Sequence, residues 1–176
     1  FPVEACLLAC GIPPGKYRKS FGFQRWNDFN PELFDEVRRE CNALVPMKHA
    51  AISGSDISGE AVRLARLNVE SAGLDHLISI EKHDFRDIQS ENREGIIFLN
   101  PPYGQRIKTH ETETLYKMIG STLKHNFPGF RAFIISSDTE ALKHVGLKPS
   151  VKRTLFNGSL KCSLMGYNLY AGSLKR

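Results

Sequence analysis

The sequence predicts an α/β fold on a mostly parallel sheet that ends in a C-terminal antiparallel hairpin. Three observations predict it. Short apolar runs alternate along the chain with segments of helical period. Glycine or proline punctuates the helical segments. The last two apolar runs flank Asn157-Gly158, a dipeptide suited to a tight reversal.

Each element follows in order. PVEACLLAC reads as a helix closed by Gly11, and Pro13-Pro14-Gly15 forbids its continuation. GKYRKSFGFQRWNDFN has no clean period and mixes Arg and Lys with Phe, Tyr and Trp. NPELFDEVRREC carries Asn30 as N-cap and Pro31 at the first helical position, with Leu33, Phe34, Val37 and Cys41 on one stripe. HAAISGSDIS is a short strand ending near Asp56. GEAVRLARLNVESAGL is a helix with Val62, Ala65, Val69 and Ala72 on one side and Gly73 as its stop. HLISIEKHDF holds a strand from Leu77 to Lys82, and GIIFLN is a buried strand running into Asn100. After a polar loop, ETLYKMIGSTLKHNF is a helix, FRAFIISS a strand and TEALKHVG a short helix. KRTLFNG and LMGYNLYAG form the hairpin. Such alternation sandwiches a parallel sheet between helices. One domain covers residues 1–176, and the stretch from about 13 to 46, longer than a usual connection, reads as an insertion.

Composition narrows the class. A chain of 176 residues, 41% hydrophobic and 24% charged, has the make-up of a soluble globular domain with a real core. No apolar run approaches the ~20 residues of a membrane helix, so no membrane partner is expected. The start, Phe1-Pro2-Val3-Glu4, has neither a secretory signal nor an initiator Met, which reads as a piece of a longer chain. Net charge is +5, which tilts towards polyanionic partners such as nucleic acid, or makes a solvated basic surface. Cys6, Cys10, Cys41 and Cys162 form no C-x-x-C pair. Cys6 and Cys10 share a helix face, but nothing completes a metal site, so they read as buried thiols in a reducing cytoplasm.

Three strand ends carry chemistry, because ligands of an open parallel sheet sit at the carboxyl ends of its strands. Asp56 can accept both hydroxyls of a ribose, or it can serve as a turn or N-cap residue. Asp84 can accept from an adenine amine while Phe85 packs on the ring, or it can be a loop Asp beside a core Phe. The third end is Asn100-Pro101-Pro102-Tyr103. An exocyclic amine on a nucleobase is a poor nucleophile, since its lone pair is delocalised into the ring. The Asn100 side-chain oxygen and the Pro101 carbonyl can both accept its hydrogens and draw the nitrogen towards tetrahedral geometry. Proline fixes φ and keeps that carbonyl aimed. Tyr103 can stack on an extruded base, a gain of ~1–3 kcal/mol, and Gly104 lets the backbone come close.

NPPYG after an apolar strand, with an acidic strand end before it, resembles the S-adenosylmethionine-dependent amino-methyltransferases. FPVEACLLACGIPPG, NPPYGQR and LFNGSLKC resemble more narrowly the catalytic domain of bacterial 23S ribosomal RNA guanine-N2 methyltransferases that carry a THUMP RNA-binding domain upstream. The resemblance covers nearly the whole chain. It implies a Rossmann-like class I methyltransferase sheet and S-adenosylmethionine as cofactor, with no metal. It also implies that the first strand and its Asp-Pro-x-x-Gly-Ser-Gly-Thr type loop are missing from this chain, together with the THUMP domain. By the resemblance the cofactor would meet Asp56, Ile57, Asp84 and Phe85, with Asn100 beside its methyl group. Asn100 to Tyr103 would hold the guanine amine. Gly104, Arg106, Asn157 and Gly158 would lie near the substrate base. Arg106 and the stretch from Tyr17 to Trp26 would face ribosomal RNA, unless that stretch is a packed surface loop.

The implied reaction is methylation of guanine N2. The same corner would serve adenine N6 on RNA or DNA. A nucleotide-dependent oxidoreductase and a non-catalytic RNA-binding domain are readings from other classes.

Overall fold

A computed structural model describes residues 1–13, 15–16, 18–43, 51–102 and 109–172. The chain divides into two compact units, Phe1–His83 and Asp84–Arg176.

The first unit begins with helix α1 (Pro2–Ala9), a single 3-10 turn (Gly22–Arg25) and helix α2 (Pro31–Asn42). Strand β1 (Ile52–Asp56), helix α3 (Gly59–Ser71) and strand β2 (Ile78–Lys82) follow as a β-α-β unit. β1 and β2 pair in parallel from Ile52 with Ile78 to Asp56 with Lys82. The parallel pairing needs a crossover, which α3 supplies. Ser58 caps α3 by accepting from the Ala61 amide at 3.3 Å. The helix stops at Gly73, which takes φ 66°. There the Gly73 amide donates to Glu70 and the Leu74 amide to Val69. That is the paired C-terminal closure in which glycine accepts the left-handed turn, and Leu74 then packs back on Val69. Gly11 closes α1 in the same way, with Ile12 donating to Leu7. Cys6, Val62, Val69, Leu74, Ile78 and Ile80 make the core of this unit. Burying each large side chain contributes about 1.5–3 kcal/mol.

The expected stripe on α2 is not a buried one. Asn30 caps the helix, accepting from the Leu33 amide at 3.0 Å, yet no residue of α2 is buried. Leu33 and Val37 are exposed, while Phe34 turns into a cluster with Phe21, Phe23 and Phe29. Of the stripe, Phe34 alone packs on the local aromatic chain.

The second unit holds a four-stranded sheet in the order β3-β4-β6-β5. A 3-10 turn (Phe85–Asp87) leads to strand β3 (Ile96–Leu99), then helix α4 (Thr109–Asn126), strand β4 (Arg131–Ser136) and helix α5 (Thr139–Lys143). Strands β5 (Val151–Asn157) and β6 (Leu160–Asn168) form the hairpin, with Gly158 at φ 61° in its turn. β3 and β4 are parallel, and both pairings made by β6 are antiparallel. Parallel pairing therefore holds up to the hairpin, as the sequence predicts. The core packs α4 and α5 on Ala132 and Ile134 of β4 and Tyr167 of β6. The Tyr116 and Ser136 hydroxyls meet inside it at 2.7 Å, and both side chains are fully buried.

One expectation about β3 needs correcting. Its apolar run suggests burial on both faces, but Ile96 is 71% exposed and Phe98 is 42% exposed. Only Ile97 and Leu99 pack against the core. Among the described residues β3 pairs with β4 alone, so one edge of β3 has no paired strand. No helix among the described residues is long and apolar enough to cross a membrane.

Candidate functional site

Asp56 stands at the carboxyl end of β1, where parallel strands present their ligands. Its Oδ1 accepts from the Ser58 amide at 2.8 Å, and its backbone oxygen accepts from His83 at 3.1 Å. The turn into α3 thus fixes the carboxylate, because Ser58 is both its partner and the helix cap. The side chain is exposed, and Oδ2 has no partner among the described residues. Of the two uses that the sequence allows, the structure describes the turn: one oxygen braces it and the other is left over. Ile57, beside it, is 64% exposed, an apolar surface next to an open acceptor.

In the second unit Asp84 heads the 3-10 turn. Its Oδ1 accepts from the Arg86 amide and from Arg86 Nε, both at 3.0 Å, and its Oδ2 accepts from Arg86 Nη2 at 2.6 Å. The Arg86 guanidinium, with its amide in second place, pulls the Asp84 carboxyl down to about 2. Phe85 is half-buried and stacks on Phe127, with ring centres 5.9 Å apart and planes 8° apart. The Asn126 side chain, at the end of α4, donates to the backbone oxygens of Arg86 and Ile88 at 3.2 and 2.9 Å. The turn is therefore built from three directions. Arg86 and Asn126 escaped the sequence reading. Their signal was present in part, since an Asp-x-Arg triplet at a strand end is a short-range ion pair.

Asn100 follows β3. The strand's alternation continues one residue beyond it: Ile97, Leu99 and Pro101 lie inward, while Ile96, Phe98 and Asn100 are exposed. Pro101 is buried and Pro102 is exposed. Pro101 is buried where Asn100 before it is exposed, so the alternation sets the Asn100 side-chain amide on the open side. That amide has no partner among the described residues. Phe85 and Leu99 pack against one core, so the fold brings the Asp84 turn and the Asn100 strand onto the same cluster. Asp56 and Ile57 belong to the first unit. Tyr103, Gly104 and Arg106 lie outside the described residues.

Asn157 and Gly158 sit at the tip of the hairpin, with Asn157 exposed and paired in register with Leu160. Phe156 next to them is 69% exposed, and Lys161 is its cross-strand neighbour. Two open depressions lie elsewhere. One of about 670 Å³ is lined by Glu32, Asp35, Arg38, Arg39 and Asn42. The other, of about 730 Å³, lies between residues 89–93 and the ends of α4 and β6. Neither includes Asp56, Asp84 or Asn100, and an open dent ranks below convergent polar groups as a site.

The chain matches the family model described as RMKL-like, methyltransferase domain, over residues 1–165. It is 36% identical over 172 residues to slr0064 of Synechocystis sp. (strain ATCC 27184 / PCC 6803 / Kazusa), which carries a provisional RNA methyltransferase name; the match covers 97% of this chain and 45% of that protein. It is 32% identical over 179 residues to the ribosomal RNA large subunit methyltransferase K/L of Shewanella frigidimarina (strain NCIMB 400), covering 99% of this chain and 25% of that one. The crystal structure of SMU.472, provisionally a methyltransferase and complexed with SAH, superposes with a TM-score of 0.83 at 29% identity, over 99% of this chain and 46% of that one. The chain thus spans 45% of one of these relatives and 25% of the other.

Proposed function

The chain belongs to the RMKL-like methyltransferase domain family, and on that premise we propose that it methylates the exocyclic N2 amine of a guanine in 23S ribosomal RNA, using S-adenosylmethionine. Its α/β fold is that of the class I methyltransferases. One observation carries the proposal: Asn100 stands exposed at a strand end with no partner among the described residues, while Pro101 is buried behind it.

The residues fit the cofactor and the base. The open Asp56 Oδ2 suits a ribose diol, and exposed Ile57 suits the face of a nucleoside. Asp84 Oδ2 keeps one acceptor site beyond the three that Arg86 uses, and it can accept from an adenine amine, with Phe85 held behind by Phe127. When bound, S-adenosylmethionine supplies a methyl group made electrophilic by its sulfonium. The protein's part is to hold and orient. Asn100 Oδ1 and the Pro101 carbonyl accept the two hydrogens of the base amine and release its lone pair from conjugation. Holding the nitrogen in line for attack removes much of the entropic barrier. The amine grows acidic as it is alkylated, so this chain needs no strong base. In this reading Tyr103 would stack on the base, and Gly104, Arg106, Asn157 and Gly158 would approach the RNA. A THUMP domain elsewhere in the same protein would grip the RNA, and the reaction belongs to the cytoplasm.

The test is a nucleoside digest of ribosomal RNA treated with the protein and labelled S-adenosylmethionine. N2-methylguanosine is expected. N6-methyladenosine in its place would overturn the guanine assignment. Calorimetric binding of NADH but not of S-adenosylhomocysteine would overturn methyl transfer altogether.

A further inference from the structure

The segment between Gly15 and Phe34 builds a second surface, outside the groups assigned to methyl transfer. Phe21 and Phe23 stack with ring centres 5.2 Å apart, and Phe34 of α2 meets both edge-on at 5.9 and 5.7 Å. Phe29 closes the cluster against Phe23 and Phe34 at 6.1 and 5.8 Å. Gln24 braces the turn by accepting from the Phe21 amide at 2.7 Å. Trp26 is held at both backbone groups: its amide donates to Phe23 at 3.0 Å and its carbonyl accepts from Phe29 at 3.1 Å.

Within this packed patch Trp26 stays open. Its ring touches Phe23 at 6.4 Å and 65°, yet the residue is 67% exposed, whereas Phe21, Phe29 and Phe34 are half-buried. A lone exposed aromatic is ordinary on a protein surface. What singles this one out is its fixed backbone and its neighbours. From Gly15 to Trp26 the chain carries Lys16, Arg18, Lys19 and Arg25 and no acidic residue. Arg18 lies over the Phe21 ring at 5.3 Å, which places a cation on the aromatic patch itself. Asp28 follows Trp26 by two residues and α2 carries four acidic residues against two basic ones, so the excess of positive charge is confined to the 15–26 segment.

We propose that Trp26 is a stacking platform for an unpaired base of single-stranded RNA, with Lys16, Arg18, Lys19 and Arg25 drawing in the flanking phosphates. A π-face set among cations is how sequence-tolerant single-strand binding is built. An apolar protein partner would ask for an uncharged rim, which these four cations do not provide. The choice of RNA as the polyanion rests on the reading given under the proposed function.

Trp26 is the only tryptophan of the chain, so intrinsic fluorescence reports on this site alone. Titration with a short oligouridylate, without methyl donor, should quench the indole emission. Trp26→Ala should weaken binding about 5- to 100-fold, and Trp26→Phe, which keeps a π-face, should recover most of it. Lys19→Glu with Arg25→Glu should flatten the dependence of affinity on salt while leaving the circular dichroism spectrum intact. Unchanged affinity in Trp26→Ala overturns the proposal. So does an indole that responds to protein concentration and not to oligonucleotide, which would place a second copy of the chain on the patch. Quenching with no methylation refutes the proposed activity and leaves this surface standing. Methylation with no quenching does the reverse.

Discussion

Arg86 closes on both carboxylate oxygens of Asp84, with Nε 3.0 Å from Oδ1 and Nη2 2.6 Å from Oδ2. The contact holds the Asp84 carboxyl at about 2, below its ordinary 3.8. A depressed carboxyl contributes stability above its unfolded pKa and loses it as pH falls through the folded one. The window for this pair therefore runs from about 3.8 down to about 2. Arg86→Ala should raise the Asp84 titration midpoint, read by NMR of the carboxyl carbon. It should stay below the ordinary value, because the residue 86 amide still donates. A midpoint still near 2 in the variant would assign the whole shift to the backbone.

Gly120 lies inside α4, where helix propensity alone favours alanine by about 1 kcal/mol. The packing reverses that sign. A Cβ at Gly120 would overlap the backbone carbonyl oxygen of Val145, which follows α5. The obstacle is backbone, so no rotamer change relieves it. Gly120→Ala should destabilise the protein by about 1–3 kcal/mol or more in urea unfolding, as overpacked cores do. A stabilised variant would mean that α4 and α5 separate at little cost.

Tyr167 gives the alkaline counterpart. Burial, with Tyr116 adding to it, pushes its hydroxyl up to about 12 from 10.0. The folded state then holds a proton that the unfolded chain gives up. Stability is complete below about 10 and is lost as pH rises towards about 12. Urea midpoints measured across this range should fall for the wild type and fall less for Tyr167→Phe. Equal slopes would show that the phenol is hydrated in the folded state.

What the sequence made legible was local chemistry. Gly11 and Gly73 mark helix ends because only glycine takes the left-handed turn cheaply, and Asn30-Pro31 marks a start for equally local reasons. Asn100 was legible as a strand end because a polar residue stops an apolar run, and Asp56 because it stands just before the start of a helical period. Faces and partners were not legible. The run Ile96–Leu99 has no alternation to say which side is covered, and the covered side holds Ile97 and Leu99 alone. Helix α4 begins at Thr109, nearly two turns ahead of its first apolar residue, Leu115, because a polar start carries no period. Strand β6 begins at Leu160 rather than Leu164, since Leu160 and Lys161 are exposed at the hairpin tip. The grip of Arg86 on Asp84 depends on a backbone turn that no spacing rule supplies.

Pro101 separates geometry from chemistry at the proposed site. It is buried, while Asn100 before it and Pro102 after it are exposed. Asn100→Ala removes one of the two proposed acceptors and should abolish turnover while sparing RNA binding. Pro101→Ala keeps the other acceptor, a backbone carbonyl, and frees only φ and a little buried volume. The freed backbone costs about 0.4–1 kcal/mol of stability through the unfolded state, too little to unfold a domain. Loss of aim is a larger matter, since a displacement of about 1 Å can cost a hundredfold in rate. Pro101→Ala should therefore lower kcat about ten- to a hundredfold, with S-adenosylhomocysteine and RNA affinities unchanged, in single-turnover methylation. Wild-type kcat in that variant would reduce the proline to packing and would leave Asn100 to activate the amine without a fixed φ behind it.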